Sequence, residues 1–116
     1  MVGGYYIALN DISWRNGKKL IIHIADGGAH GIKYSSGDRY PSEGPRLDNY
    51  IRECSNKKIT IIAFKIGSNP EQSFSRSQML YNYMGNKNYK IQDFYQNKKE
   101  PGYFTDLVVN AITKET

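Results

Sequence analysis

The sequence predicts an α/β fold in three layers, with helices on both faces of a parallel sheet, and three observations carry that reading. Short apolar runs rich in β-branched residues recur along the chain. Between them lie segments whose apolar residues repeat at helical spacing, so strand-like and helix-like stretches alternate. Clusters of Gly, Pro, Asn and Ser punctuate the alternation where turns are needed.

Tyr5, Ala8, Leu9 and Ile12 fall at i, i+3, i+4 and i+7, the signature of an amphipathic helix, and Gly17 then breaks the chain. Lys19 to Ala25 is a continuous β-branched run and reads as a buried strand. From Gly27 to Pro45 the chain is polar and rich in Gly, Ser and Pro, a long loop of the kind that tends to be functional. Leu47, Tyr50, Ile51 and Cys54 restore the helical spacing, and Ile59 to Ile66 is a second strand, stopped by Gly67-Ser68-Asn69-Pro70. Phe74 to Met84 predicts a helix with Leu80, Tyr83 and Met84 turned inward, closed by Gly85 and Asn86. Tyr89 to Phe94 is a short third strand. After a turn over Asn97–Gly102, Phe104, Leu107, Val108, Ala111 and Ile112 mark a last helix. The predicted order is α-β-α-β-α-β-α, with no internal repeat.

A chain of 116 residues is one domain at most. A mean hydropathy of −0.65 and 23% charged residues indicate a water-soluble chain, and no apolar run approaches a membrane span. There is no signal-peptide layout, and the lone Cys54 rules out an internal disulfide, so a reducing, cytoplasmic setting is expected. The net charge of +5 raises nucleic acid as a partner. However, the basic pairs Lys18-Lys19, Lys57-Lys58 and Lys98-Lys99 are dispersed at turns and element ends, the pattern of solvated termini, and no nucleic-acid partner is expected.

The chemistry-bearing stretch is H-I-A-D-G-G-A-H-G, His23 to Gly31. Asp26 directly follows a strand, where parallel sheets bind ligands and where an aspartate can hold a metal, a ribose or a water. The plainer reading is a turn cap bonding the amides of the glycines after it. His23, Asp26 and His30 have the composition of a metal triad, but strand side chains alternate, so His23 and Asp26, three apart, face opposite sides. His23 is then a packed strand residue. Gly27 to Gly31 resembles a phosphate loop, although the Lys-Ser/Thr ending is missing and no helix follows at once. Asp11-Ile12-Ser13 is a fragment of an Asp-x-Ser-x-Ser metal motif, misplaced at a helix end, with Trp14 beside it as a core anchor. Cys54 lies on an apolar helix face with no histidine to activate it. No nucleophile–base arrangement can be assembled, so catalysis is not expected.

The run from Ala8 through Trp14-Arg15 to His30-Gly31 resembles the von Willebrand factor type A (vWA) domain, in the intracellular branch associated with atypical α-kinases. Downstream, Tyr40-Pro41 and Gly44-Pro45 with the Leu47–Cys54 helix match that branch's loop and next helix. Ile59–Gly67 matches its fifth strand, and Met79 and Tyr83 with the Tyr89–Phe94 strand match its succeeding segments. The resemblance covers nearly all of residues 1–116 but only about the second half of a complete domain. It implies a Rossmann-like partial vWA fold, whose sheet corresponds to the family's strands four, five and six. It implies a non-enzymatic protein-binding module with an incomplete Mg²⁺ site. Asp26 would be the inherited metal ligand, while Gly27, Gly28, His30 and Tyr40 would lie on the partner-binding loops. The family's first metal motif and second metal loop are absent. The strand matching the family's fourth would then have a bare edge, so self-association or a complementing chain through residues 20–25 is expected. Two other readings are a phosphate- or nucleotide-binding domain using the 27–31 loop, and a non-functional truncated remnant.

Overall fold

A computed structural model describes residues 2–10, 19–28, 43–94 and 102–115. Its elements are α1 (Val2–Asn10), β1 (Lys19–Ala25), α2 (Glu43–Asn56), β2 (Ile59–Ile66), α3 (Glu71–Tyr83), β3 (Tyr89–Phe94) and α4 (Tyr103–Glu115), in the predicted alternation. The three strands form one parallel sheet in the order β1-β2-β3. Lys19 lies level with Ile59 and Ala25 with Lys65, while Ile61 lies level with Tyr89 and Ile66 with Phe94.

Alternation of side chains along β2 builds two cores on opposite faces. Ile59, Ile61 and Ala63 enter the larger one, with Leu47, Ile51 and Cys54 of α2, Phe74, Leu80 and Tyr81 of α3, and Tyr5 and Leu9 of α1. Ile62 and Phe64 enter the smaller one against Ala111 of α4, joined by half-buried Leu20, Ile22, Leu107 and Val108. Helices α1, α2 and α3 therefore cover one face and α4 the other. A strand order that advances one step at a time needs α2 and α3 on the same face, because parallel crossovers are right-handed.

Side-chain hydrogen bonds join these layers. The Tyr81 hydroxyl donates to the Ile59 carbonyl, and the Ser55 hydroxyl donates to the Tyr81 carbonyl at 2.9 Å. The Gln78 amide donates to the Tyr89 carbonyl at 3.1 Å, and Arg76 Nη2 reaches Asp48 Oδ2 at 2.9 Å between α3 and α2. The Tyr89 hydroxyl is buried with no hydrogen-bond partner among the described residues. Removing an unsatisfied buried hydroxyl while keeping the ring takes away a desolvation cost. Tyr89→Phe is therefore expected to leave stability unchanged or raise it by about 1 kcal/mol. Chemical denaturation checks this, and a loss of about 1 kcal/mol or more, on the scale of one buried hydrogen bond, would show that the hydroxyl is bonded.

Three sequence expectations need correction. The first helix begins at Val2, so Gly3 and Gly4 lie inside it. Glycine is a poor helix former, and the packing of Tyr5, Ala8 and Leu9 holds the turn instead. Helix α2 begins at Glu43, so Pro45 lies in its first turn, where its missing amide costs nothing, and not in the loop. In α3 the inward face is Ser73, Phe74, Ser77, Leu80 and Tyr81, whereas Tyr83 is 86% exposed and Met84 39%. Small serines at inward positions let the helix sit close to its neighbours, and the Tyr81 hydroxyl finds its acceptor there. The predicted positions of Ile12 and Trp14, most of the 27–45 loop and most of the 97–102 turn lie outside the described residues.

Candidate functional site at the carboxyl edge of the sheet

The carboxyl edge is built by three strand ends. β1 is half-buried along its length with Ile24 exposed, not the buried strand its sequence suggests, and it stops at Ala25 where Asp26, Gly27 and Gly28 end the apolar run; Asp26 and Gly28 are exposed and Gly27 is half-buried. β2 stops at Gly67, whose φ of 71° is in the left-handed region that glycine enters without strain. The turn then closes into α3, where the Phe74 amide donates to the Pro70 carbonyl at 3.0 Å.

Lys65 stands one strand over from Ala25, and Asp93 one strand further. Lys65 Nζ lies 3.3 Å from Asp93 Oδ1 and 3.7 Å from Glu71 Oε1 at the start of α3. Both carboxylates are exposed, so each contact contributes at most about 1 kcal/mol. Their effect is to place charge: among the described residues the edge carries three carboxylates and one ammonium. Sequence reasoning missed Lys65, Glu71 and Asp93. One signal was legible, since a lysine near the end of the run Ile59–Ile66 marks where the strand leaves the core.

His23 is a packed strand residue, as alternation predicted. Its Nδ1 lies 2.9 Å from the Tyr5 hydroxyl. Its ring meets Tyr5 edge-on with centroids 5.5 Å apart and Phe74 edge-on at 5.0 Å. Burial between these rings lowers its pKa from 6.5 to about 4, so the imidazole is neutral at pH 7. Cys54 is wholly buried in the larger core, and desolvation pushes its thiol up to about 12, so it is no nucleophile.

His30 and Tyr40 lie outside the described residues, so only Asp26, Gly27 and Gly28 of the expected site can be placed. Of the residues expected at a Mg²⁺ site, Asp26 is the ligand that can be placed. Among the described residues no three His, Cys, Asp or Glu side chains converge, whereas a hard cation takes about six oxygens. The carboxylates of Asp93 and Glu71 on this edge share the Lys65 ammonium.

Searches against protein families, characterised proteins and solved structures return no match. No described helix is long and apolar enough to cross a membrane.

Proposed function

We propose that this chain is a vWA-like, non-enzymatic module that binds a protein partner through the carboxyl edge of its sheet, with Asp26 at the contact. The observation that carries this reading is the position and state of Asp26. It is exposed directly beyond the end of a parallel strand, where such sheets present their ligand sites, and it makes no ion pair with a described residue. With Asp93 two strands over and Glu71 at the start of α3, the edge offers carboxylates to a partner's cationic or amide groups, and Gly27, Gly28, His30 and Tyr40 belong to the loop that would flank the contact. The vWA resemblance supports the same edge. On the residues placed here the binding is metal-independent, and a Mg²⁺-dependent version would draw its other ligands from elsewhere.

The test compares the wild-type protein with Asp26→Lys as tagged baits in an extract of the source cells, with and without a chelator. The expected result is a protein retained by the wild type, lost with Asp26→Lys and unaffected by chelation. Equal retention by both baits overturns the assignment of Asp26. Calorimetry with Mg²⁺ alone then separates the metal question: micromolar binding abolished in Asp26→Ala would restore a metal site and reject the metal-independent form.

A further inference from the structure

The amino edge of the sheet carries a recess of its own. Where α2 hands over to β2 and α3 to β3, a hollow of about 370 Å³ is lined by Ser55, Asn56, Lys58, Met84, Asn86 and Lys87. The two turns are tied together beneath it. The Ser55 hydroxyl donates to the Tyr81 carbonyl at 2.9 Å, the Asn86 amide to the Ser55 carbonyl at 3.4 Å, and the Ile61 amide to the Asn88 carbonyl at 2.9 Å. Carbonyls in the last turns of both helices accept from the amides of Lys57, Lys58, Met84 and Gly85, so these negative ends are capped rather than open. Both turns place a residue in the left-handed region. After α3 it is Gly85, at φ 91°, which enters without strain; after α2 it is Lys58, at φ 57°. A lysine there carries a backbone cost that glycine would avoid, and its side chain brings an ammonium group to the hollow. Lys87 brings a second. Neither makes an ion pair with a described residue, whereas the adjacent Lys57 is held by Glu53 at 2.9 Å.

We infer that this hollow binds a phosphate monoester, with Lys58 and Lys87 as its two cationic anchors. A phosphate monoester carries about −1.5 to −2 charges at pH 7, which two ammonium groups match, and among the described residues no carboxylate lines the hollow. Lysine serves phosphate as a mobile point charge and needs no planar fork to do so. The volume falls in the range of small-molecule sites, about 300–1,000 Å³, so the hollow has room for the organic part of the ester as well. The Asn56 amide and the second N–H of Asn86 offer that part hydrogen bonds, and Met84 offers it an apolar wall. A soluble phosphorylated molecule and a phosphatidic acid headgroup present the same chemistry, and the experiment separates them. The hollow lies at the opposite edge of the sheet from Asp26 and the 27–31 loop, so it stands or falls independently of the partner contact proposed there.

The experiment follows backbone amides by NMR while inorganic phosphate, and separately glycerol 3-phosphate, is added at constant ionic strength. Saturable shifts are expected at residues 55–58 and 84–88. Lys58→Gly removes one anchor and relieves the left-handed residue, so its thermal melt is expected to be no lower than that of the wild type. Lys58→Gly and Lys87→Gln are each expected to bind about tenfold more weakly, the loss of one charge-assisted contact. Lys90→Gln lowers the net charge equally on the α4 face, where Lys90 stands level with Ile62, and is expected to bind like the wild type. Sedimentation with phosphatidylcholine vesicles containing phosphatidic acid then names the source. Retention that Lys58→Gly abolishes assigns the lipid headgroup, and saturable glycerol 3-phosphate binding without retention assigns a soluble ester. No saturable shift with either phosphate, or an equal loss in Lys90→Gln, overturns the site.

Discussion

Between pH 6.5 and pH 4 this protein is expected to lose about 3 kcal/mol of folding stability through one side chain, His23. The folded imidazole has its pKa lowered to about 4, chiefly by desolvation, whereas in the unfolded chain it titrates near 6.5. Within that window the unfolded state binds a proton that the folded state excludes, so stability rises with pH. The contribution is fully present above 6.5 and is lost as pH falls toward 4. Carboxylates titrate in the lower part of the same range, so the comparison is made with His23→Gln. Denaturation midpoints measured from about pH 7.5 to 4 should fall more steeply in the wild type than in the variant. Parallel curves would mean that His23 is protonated as readily in the fold as outside it.

Phe74→Ala is expected to cost about 3–5 kcal/mol, the usual range for emptying a buried phenylalanine site. Phe74 is 1% exposed and belongs to the larger core. It also covers the His23 ring at 5.0 Å, so its removal admits water to the imidazole. The variant therefore has a second signature that an ordinary core cavity would lack. The pKa of His23 should move up from about 4 toward 6.5, and the pH dependence of stability should shrink with it. Thermal melts measure the first effect and an NMR titration of the imidazole the second. Because the two residues touch, Phe74→Ala and His23→Gln should not add. A large loss of stability with an unmoved imidazole would assign the shielding of His23 to Tyr5 instead.

The strands were legible because each is an uninterrupted apolar or β-branched run between turn formers. β1, β2 and β3 span Lys19–Ala25, Ile59–Ile66 and Tyr89–Phe94, the bounds the sequence predicts. Helix faces were harder to read. In α3 the apolar residues Tyr83 and Met84 suggested the inward side, but Ser73 and Ser77 occupy it, and apolarity alone cannot report where a small residue is needed for close approach. The candidate site divided along the same line. Asp26 could be read because it ends a strand, a local fact. Lys65, Glu71 and Asp93 meet only through strand register and the start of the following helix, which no spacing along the chain encodes.

The unequal faces of the sheet also bear on how the protein opens. Among the described residues, the α4 side rests on three buried ones, Ile62, Phe64 and Ala111, whereas twelve make up the core on the other side. Local opening takes the least supported unit first. Release of α4 would therefore leave the α1–α2–α3 layer and its strands standing while uncovering Ile62 and Phe64. A partly open form of this kind would keep most of the architecture, with the last helix as its detachable part.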